Sequence, residues 1–338
     1  MFSFKRLKNL FSFGWKILVS SLLYTLYNDL RTLLIGKLYT AEDLAYYNKA
    51  KTFPNFIILN INTSIDSVLL PTMSSVQDNR DSVKKIMRRG IKTSTYIMMP
   101  LMVGLAVCAK PIVSLILTDK WLMIVPYMRI FCFSYALYPI NTLNLNAIKA
   151  MGRSDLFLKL EIAKKIVGLV FLLGSIRFGV LAMAYTLLIT SVLNLIINAW
   201  PNKKLLNYNV FEQVKDICAN MFLAVFMGAC VACFQYFDFS NLLTLAIQIP
   251  VGAVIYILAS AIFKMESFYY ILGVMKNSSF CLLSALGGAL VGAAIAMLVT
   301  PQSGKELRGK IRTAINDTAE RVRSGMCNCN SAEAEDAE

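Results

Sequence analysis

Apolar residues in this chain are concentrated in blocks long enough to cross a membrane as an α-helix. A bilayer-spanning helix needs about 20 such residues, because each residue adds only ~1.5 Å along the axis. Apolar residues make up 57% of the 338 residues and charged residues only 16%, whereas soluble domains average ~45–50% and ~25%. Since a backbone in lipid has to satisfy its own hydrogen bonds, the pattern predicts an all-α, polytopic helical membrane protein.

We predict about eight transmembrane helices within residues 1–276. Their expected ranges are 11–36, 45–73, 93–117, 122–147, 157–176, 179–200, 217–237 and 241–263. The second block contains Pro54 and Pro71, so we expect a kinked or broken helix there.

Lysine and arginine are distributed very unevenly between the two sides of these blocks. If residues 1–10 are cytoplasmic, the inner loops hold 19 of these cations and the outer loops hold 4. Because short cytoplasmic loops are enriched in Lys and Arg, this distribution supports eight spans with both ends inside. The net charge of +14 is therefore interpreted as a topology signal, with no nucleic acid expected as a partner.

The first block is polar over more than half of its circumference. On a helical wheel Tyr27, Asn28 and Arg31 share one stripe, and Asp29 lies on an adjacent stripe. Such a face is not stable against lipid, so we expect it to line protein or a water-filled cavity. Asp29 and Arg31 are two positions apart and point away from each other, so each needs its own partner.

Other cations fall at membrane depth in the second and fourth blocks, namely Lys49, Lys51 and Arg129. At the helical rise per residue, they fall with Arg31 in the outer half of the membrane and are expected to ring the mouth of a cavity. Alternatives stay open for each: the lysines snorkel to the interface, and the two arginines make only structural contacts between helices.

A cation-lined cavity suits an anionic substrate with an apolar tail, because arginine binds phosphate through two hydrogen bonds and lysine as a point charge. The residues that we predict to bind the charged head are Arg31, Lys49, Lys51, Arg129, Asn28 and Tyr27. The carboxylates Asp29 and Asp66 are candidates to take up a proton or Na⁺, since the chain has no histidine. For Asp66, a purely structural role in helix packing is an equal alternative.

The chain offers little for metal or cofactor chemistry. The lack of histidine excludes His-based triads, zinc sites and proton relays. Six of the eight cysteines lie in or beside apolar blocks, where cysteine behaves as a small hydrophobic residue. Cys327 and Cys329 form an isolated C-x-C without neighbouring ligands, so we predict no catalytic residues, no metal and no cofactor.

Two stretches carry a resemblance to a known family: "YNDLRTLLIGKLYTAEDLAYYNKAKTFP" and "LNAIKAMGRSD". Residues 1–276 resemble the polysaccharide-transporter (Wzx-like) flippases of the multidrug/oligosaccharidyl-lipid/polysaccharide superfamily. The resemblance implies a multi-pass protein of the bacterial cytoplasmic membrane that moves undecaprenyl-diphosphate-linked oligosaccharide for the synthesis of lipopolysaccharide or other surface polysaccharides. It also implies that a cationic central cavity holds the diphosphate-sugar head.

Members of that family have two lobes, and this chain resembles the second. The resemblance therefore implies a further partner, either a missing first lobe or a second copy in a homodimer, besides the lipid-linked oligosaccharide and membrane lipids.

The C-terminal part, "FCLLSALGGALVGAAIAMLVTPQSGKELRGKIRTAI", resembles YtxH-like small membrane proteins over residues 279–325. We expect a Gly/Ala-rich apolar span at 277–300, which is the ninth apolar block. An amphipathic helix is expected at 301–325, with a capping box of Ser303 and Glu306, and a disordered acidic tail at 326–338.

Two other functions are weighed against transport. A non-transporting membrane anchor or scaffold, or a truncated or chimeric fragment, is favoured by the apparent lack of one lobe. A membrane-embedded enzyme is disfavoured, because the chain has no D-x-D motif and its outer loops are only a few residues long.

Overall fold

The structure, a computed structural model, describes residues 4–236 and 240–277, with side chains described for 14–27, 29–235 and 240–273. Within these ranges the chain forms helices and short connections, with no β-strand. The α-helices are α1 (Phe4–Leu38), α2 (Ala41–Ser75), α3 (Arg80–Val107), α4 (Ala109–Leu117), α5 (Val125–Ala136), α6 (Tyr138–Ala150), α7 (Ser154–Ser175), α8 (Val180–Leu206), α9 (Val210–Cys233), α10 (Asn241–Ile262) and α11 (Glu266–Asn277). Short 3₁₀ turns lie at Asp119–Ile124, Ile176–Phe178 and Phe234–Tyr236.

Six helical segments of the described ranges are long and apolar enough to cross a membrane: α2, α3, the segment Asp119–Ala150, α8, α9 and α10. The two other predicted spans correspond to α1, with 35 residues, and α7, with 22 residues. Both are long enough to cross, but both carry charged residues within the expected membrane depth. The chain is thus a polytopic helical membrane protein in which the charged residues within α1 and α7 need a polar environment.

Helix α2 is continuous despite its two prolines. Its start is fixed by a capping box, in which the Asp43 amide donates to the Thr40 hydroxyl at 3.1 Å and the Thr40 amide donates to the Asp43 carboxylate at 3.4 Å. The helix then runs through Pro54 and Pro71 to Ser75. The helix is therefore not broken at either proline, and the expected kink stays a prediction.

The predicted fourth span is instead divided into two short helices. Helix α5 ends at Ala136 and α6 begins at Tyr138, with Leu137 between them. Pro139 has no N–H to donate to the carbonyl of Tyr135, so the regular hydrogen-bond ladder cannot run through this point.

The helices enclose two apolar cores. One core, formed mainly by α2, α3, α5, α8, α9 and α10, includes Tyr47, Met102 and Phe131. The other lies near the end that the Lys and Arg distribution assigns to the cytoplasm, and it includes Met73 and Met87. Helix α1 packs mainly against α7, whereas α7 packs against both α1 and α8.

Charged residues connect α3, α9 and α11 at the same cytoplasmic end. The Arg88 guanidinium donates to both oxygens of Asp216, at 2.6 and 2.7 Å, and the Tyr208 hydroxyl donates to Asp216 at 2.8 Å. Lys92 donates to Glu266 at 2.6 Å, and this bond lowers the pKa of the Glu266 carboxyl. These contacts hold the cytoplasmic ends of the helices together outside the cavity described next.

Residues Met1–Ile271 form one compact unit. The predicted Gly/Ala-rich span, amphipathic helix and acidic tail from 278 onward lie outside the described residues. The domain boundary near residue 276 accordingly stays a prediction.

Candidate functional site: a cationic cavity

A cavity of about 630 Å³ lies among α1, α2, α5, α6, α7 and α8. Its charged lining residues are Arg31, Lys51, Lys149, Lys164 and Lys165, with the carboxylates Asp66 and Glu161. Five cations against two carboxylates leave a formal excess of three positive charges. Such a cavity is strongly attractive to anions, because charges interact more strongly away from bulk water.

Arg31 is fixed in the cavity wall by two hydrogen bonds. It is 3% exposed, and its Nη1 donates to the carbonyl oxygen of Met183 at 2.8 Å. Its Nη2 donates to the hydroxyl of Tyr27 at 3.1 Å, while its buried Nε makes no hydrogen bond within the described part of the chain. Arg31 thus joins α1 to α8, and of its five N–H donors the one on Nε is buried without a partner among the described residues.

Three charged residues of α7 form a cluster on its cavity face. The Lys164 ammonium donates to Glu161 Oε1 at 2.5 Å, and the Lys165 ammonium lies 4.0 Å from Glu161 Oε2. Lys165 also lies over two rings of α1, 4.4 Å from the centroid of Tyr24 and 4.8 Å from that of Tyr27. The faces of aromatic rings attract a cation, so α1 and α7 are held together by this ammonium group.

The other two lysines also lie over aromatic rings. Lys51 Nζ is 5.9 Å from the ring centroid of Tyr47 on its own helix. Lys149 Nζ is 4.7 Å from the ring centroid of Phe157, which joins α6 to α7. Both side chains are partly exposed to the cavity and so can reach a ligand there.

Amide side chains complete the polar wall. Asn146 donates to Asp66 Oδ1 at 2.6 Å, and Asn198 donates to Asn141 Oδ1 at 2.8 Å. All four side chains line the cavity. They join α2 to α6 and α6 to α8, so the wall is held in place by interhelical hydrogen bonds.

One part of the lining is aromatic. The hydroxyl groups of Tyr24 and Tyr138 share a hydrogen bond of 2.8 Å between α1 and α6. The ring of Tyr135 packs edge-on against that of Tyr138, with centroids 6.2 Å apart. These rings offer apolar faces beside hydroxyl groups, as suits a ligand with both kinds of surface.

Four residues of the predicted site lie in the cavity lining: Tyr27, Arg31, Lys51 and Asp66. They come from α1 and α2, and the cavity brings them together with the lysines of α6 and α7. Their roles in ligand binding stay predictions.

The structure places other predicted residues elsewhere. Lys49 and Asp29 are not part of the lining; Lys49 is two positions from Lys51 and so points in nearly the opposite direction from α2. Arg129 is exposed on α5, lies outside the lining and donates to the carbonyl oxygen of Ala106 at 3.2 Å. The side chain of Asn28 lies outside the described residues.

Sequence reasoning missed the contribution of α6 and α7. Lys149, Lys164 and Lys165 were counted as topology markers of an inner loop at 148–165, and Glu161 was not singled out. The spacing of Glu161, Lys164, Lys165 and Gly168 is the signal that could have found them, because residues three, four and seven apart share one helix face. Within the described ranges, no three His, Cys, Asp or Glu side chains are grouped to hold a metal ion.

Comparisons with known proteins agree with this architecture. Residues 1–126 match the family described as "Polysaccharide biosynthesis protein". The teichuronic acid biosynthesis protein TuaB of Bacillus subtilis (strain 168) is 24% identical over 264 residues, which are 76% of this chain and 54% of TuaB. The lipopolysaccharide biosynthesis protein WzxC of Escherichia coli (strain K12) is 22% identical over 187 residues, 55% of this chain and 38% of WzxC.

A solved structure of the lipid II flippase MurJ, in an inward closed conformation, has the same fold over 78% of this chain and 56% of MurJ. The TM-score is 0.60 at 16% sequence identity. The chain resembles the polysaccharide-transporter flippases.

This flippase-like chain spans about half the length of TuaB and MurJ, and less of WzxC. Residues 282–337 match a second family, described as "YtxH-like protein". The resemblance to flippases therefore concerns the compact helical unit that contains the cavity.

Proposed function

We propose that this chain moves undecaprenyl-diphosphate-linked oligosaccharide across the bacterial cytoplasmic membrane for surface polysaccharide biosynthesis, without any covalent step. The observation that carries the proposal is the excess of positive charge in the cavity among α1, α2, α5, α6, α7 and α8. The similarity to TuaB and WzxC and the MurJ fold support the same class of substrate.

An excess of buried charge at membrane depth requires a compensating ligand or water. A single charged side chain costs ~2.5–3.5 kcal/mol at the centre of a bilayer on the lenient insertion scale. A diphosphate carries several negative charges and many acceptor oxygens, so it compensates several cations at once. Arg31 and Lys51 are proposed as its ligands from α1 and α2, with Tyr27 beside them, and Lys164 and Lys165 as its ligands from α7.

Asp66 is proposed as the group that takes up a proton or Na⁺ during transport. Its carboxylate faces the cavity and accepts one hydrogen bond, from Asn146. A carboxylate with remaining acceptor sites in a hydrated cavity is suited to such exchange. Asp29 is a weaker candidate for this role, since it is exposed on α1 and does not line the cavity.

A second copy of this chain is proposed to close the open side of the cavity. Helix α2 carries an outward face on which the exposed apolar residues Phe56 and Leu59 lie among exposed polar side chains, namely Asn48, Thr52, Asn55, Asn60, Thr63, Ser64 and Ser67. Asn55 and Thr63 belong both to this face and to the cavity lining. Polar side chains of membrane helices pack against protein or water in preference to lipid, and the matched part of one copy covers 54% of TuaB.

The first experiment uses a matched pair of lysines on α2. The full chain, purified into nanodiscs, is titrated with farnesyl diphosphate, which shares the prenyl-linked diphosphate of the proposed substrate but lacks its sugar. Lys51→Ala is expected to weaken binding about tenfold, since one close ammonium–phosphate contact is worth roughly 1.5–3 kcal/mol. Lys49→Ala removes the same charge from the same helix outside the cavity and is expected to leave binding within about twofold of the unmodified chain.

Transport is measured in liposomes with a fluorescent polyprenyl-diphosphate oligosaccharide. Lys51→Ala is expected to slow its translocation and Lys49→Ala is not. Equal losses in both variants would count against the cavity as the binding site. Binding without translocation would instead favour the anchor or scaffold function for this chain.

A further inference from the structure

Glu161 is the acidic residue that lies among the lysines of the cavity. It is 5% exposed, pairs with Lys164 at 2.5 Å and lies 4.0 Å from Lys165. All three residues are on α7 at spacings of three and four, so the helix itself keeps the carboxylate beside both ammonium groups.

We propose that Glu161 is a built-in counter-anion that competes with the phosphates of the ligand for Lys164 and Lys165. The inference rests on the proposed function and concerns how strongly the cavity holds its ligand. It assigns to Glu161 a role that limits affinity and so promotes release.

The contacts of the Glu161 carboxylate are of a kind that the phosphates of a ligand can displace. Its Oε2 is buried and makes no hydrogen bond with the described residues, so on that side it is held by the charge of Lys165 alone. Both lysines have long, flexible side chains that can turn from a carboxylate to a nearby phosphate. Lys165 keeps the rings of Tyr24 and Tyr27 as a second site of attraction while it does so.

The other carboxylate of the cavity, Asp66, is not paired with a lysine in the same way. Its Oδ1 accepts from Asn146 at 2.6 Å, and in the described ranges it forms no ion pair with a lysine or arginine. Asp66 thus adds negative charge to the cavity without occupying a cation, whereas Glu161 occupies two.

The consequence concerns the balance between capture and release. A transporter has to bind its ligand on one side of the membrane and free it on the other, and a ligand neutralised by five unopposed cations would leave slowly. A resident carboxylate raises the energy of the bound state, because the phosphate takes lysines that already have a partner. If Glu161 were absent, no carboxylate would compete with the ligand for the ammonium groups of Lys164 and Lys165.

The test measures binding and release of inorganic pyrophosphate by the full chain in nanodiscs. Glu161→Gln is isosteric and is expected to tighten the Kd by about tenfold or more and to slow dissociation in proportion, since a unit charge ~4 Å from a cation is a strong local competitor. Asp66→Asn removes the same formal charge from the same cavity and is expected to give a clearly smaller gain.

Glu161→Asp supplies a second variant that keeps the charge. Its side chain is one methylene shorter, which withdraws the carboxylate from both ammonium groups, so its affinity is expected between those of the unmodified chain and Glu161→Gln. Thermal unfolding of each variant identifies any loss of folding.

The possible results separate the two proposals. Suppose that the unmodified chain binds pyrophosphate. If folded Glu161→Gln then binds it no more tightly, or if Glu161→Asp binds it more weakly, the role of Glu161 is overturned and the proposed function stays intact. Absence of binding by all variants, Glu161→Gln included, contradicts the cavity as a diphosphate site and therefore both proposals.

Discussion

Arg31 both links two helices and adds positive charge to the cavity, which a lysine could not do in the same way. Its planar guanidinium reaches the Met183 carbonyl on α8 and the Tyr27 hydroxyl on α1 at the same time, and its buried Nε has no hydrogen-bond partner among the described residues. A lysine ammonium carries the same charge without this fork of donors. The residue therefore links the orientation of α1 to the charge of the cavity.

We expect Arg31→Lys to weaken pyrophosphate binding about tenfold and to lower the thermal stability of the chain, because one hydrogen bond to a charged group contributes roughly 1.5–3 kcal/mol. The matched control is Arg129→Lys, which changes an arginine that also donates to a carbonyl but lies outside the cavity. Calorimetric titration and thermal unfolding measure both effects. Equal binding by the two variants would contradict the role of Arg31.

Some of the charged cavity residues could be predicted from the sequence, and others could not. Arg31 and Lys51 stood out because they interrupt apolar blocks. Lys164 and Lys165 lie near the start of a block, where a cation ordinarily marks the cytoplasmic side. Only the packing of α7 against α1 turns them toward the cavity, and a single sequence contains no direct record of which helices are neighbours.

Helices α1 and α7 can approach closely because Gly168 has no side chain. A Cβ atom at this position would lie 2.5 Å from the hydroxyl oxygen of Tyr27 and 2.8 Å from its Cζ. Tyr27 cannot move freely, since it accepts a hydrogen bond from Arg31 and lies under Lys165. The glycine thus sets the width of this side of the cavity.

Gly168→Ala is expected to destabilise the chain by about 1–3 kcal/mol, because the added methyl group has to displace a held ring, and to weaken pyrophosphate binding. Gly174→Ala is the control on the same helix, where an added Cβ has nothing within 4 Å. It is expected to be neutral or to stabilise by up to ~1 kcal/mol, since alanine favours helix. Thermal unfolding in nanodiscs distinguishes them, and equal stability of the two variants would show that the close approach is unimportant.

Element boundaries were less predictable than the elements themselves. Prolines mislead in both directions: α2 continues through Pro54 and Pro71, whereas Pro139 coincides with a division between α5 and α6. The same residue type allows both outcomes because neighbouring helices decide whether the freed carbonyl is satisfied. Hydropathy locates most of the long helical segments, but whether a segment continues through a proline depends on tertiary contacts.

For the whole molecule, the open cavity and the outward face of α2, with its exposed polar side chains, predict association of two copies. Light scattering on the purified full chain is expected to give the mass of a dimer. Thr52 lies exposed on that face and outside the cavity lining, so Thr52→Trp is expected to shift the protein toward a monomer by steric obstruction.

The control for association is Val170→Trp, at an exposed apolar position of α7. It adds the same bulk to a surface that lipid can cover and is expected to leave the dimer intact. A monomeric unmodified chain, or equal dissociation by both variants, would contradict the second copy as the partner.

The charge of α7 also bears on how the chain is built into the bilayer during synthesis. On its own, this segment would carry Lys159, Glu161, Lys164 and Lys165 toward hydrocarbon, at ~2.5–3.5 kcal/mol for each unpaired ion that reaches the midplane. Helix α1 leaves the ribosome earlier and offers Tyr24 and Tyr27 as a surface for the Lys165 ammonium. Because α1 precedes α7 in the chain, the aromatic surface of α1 is synthesised before the charged helix that packs against it.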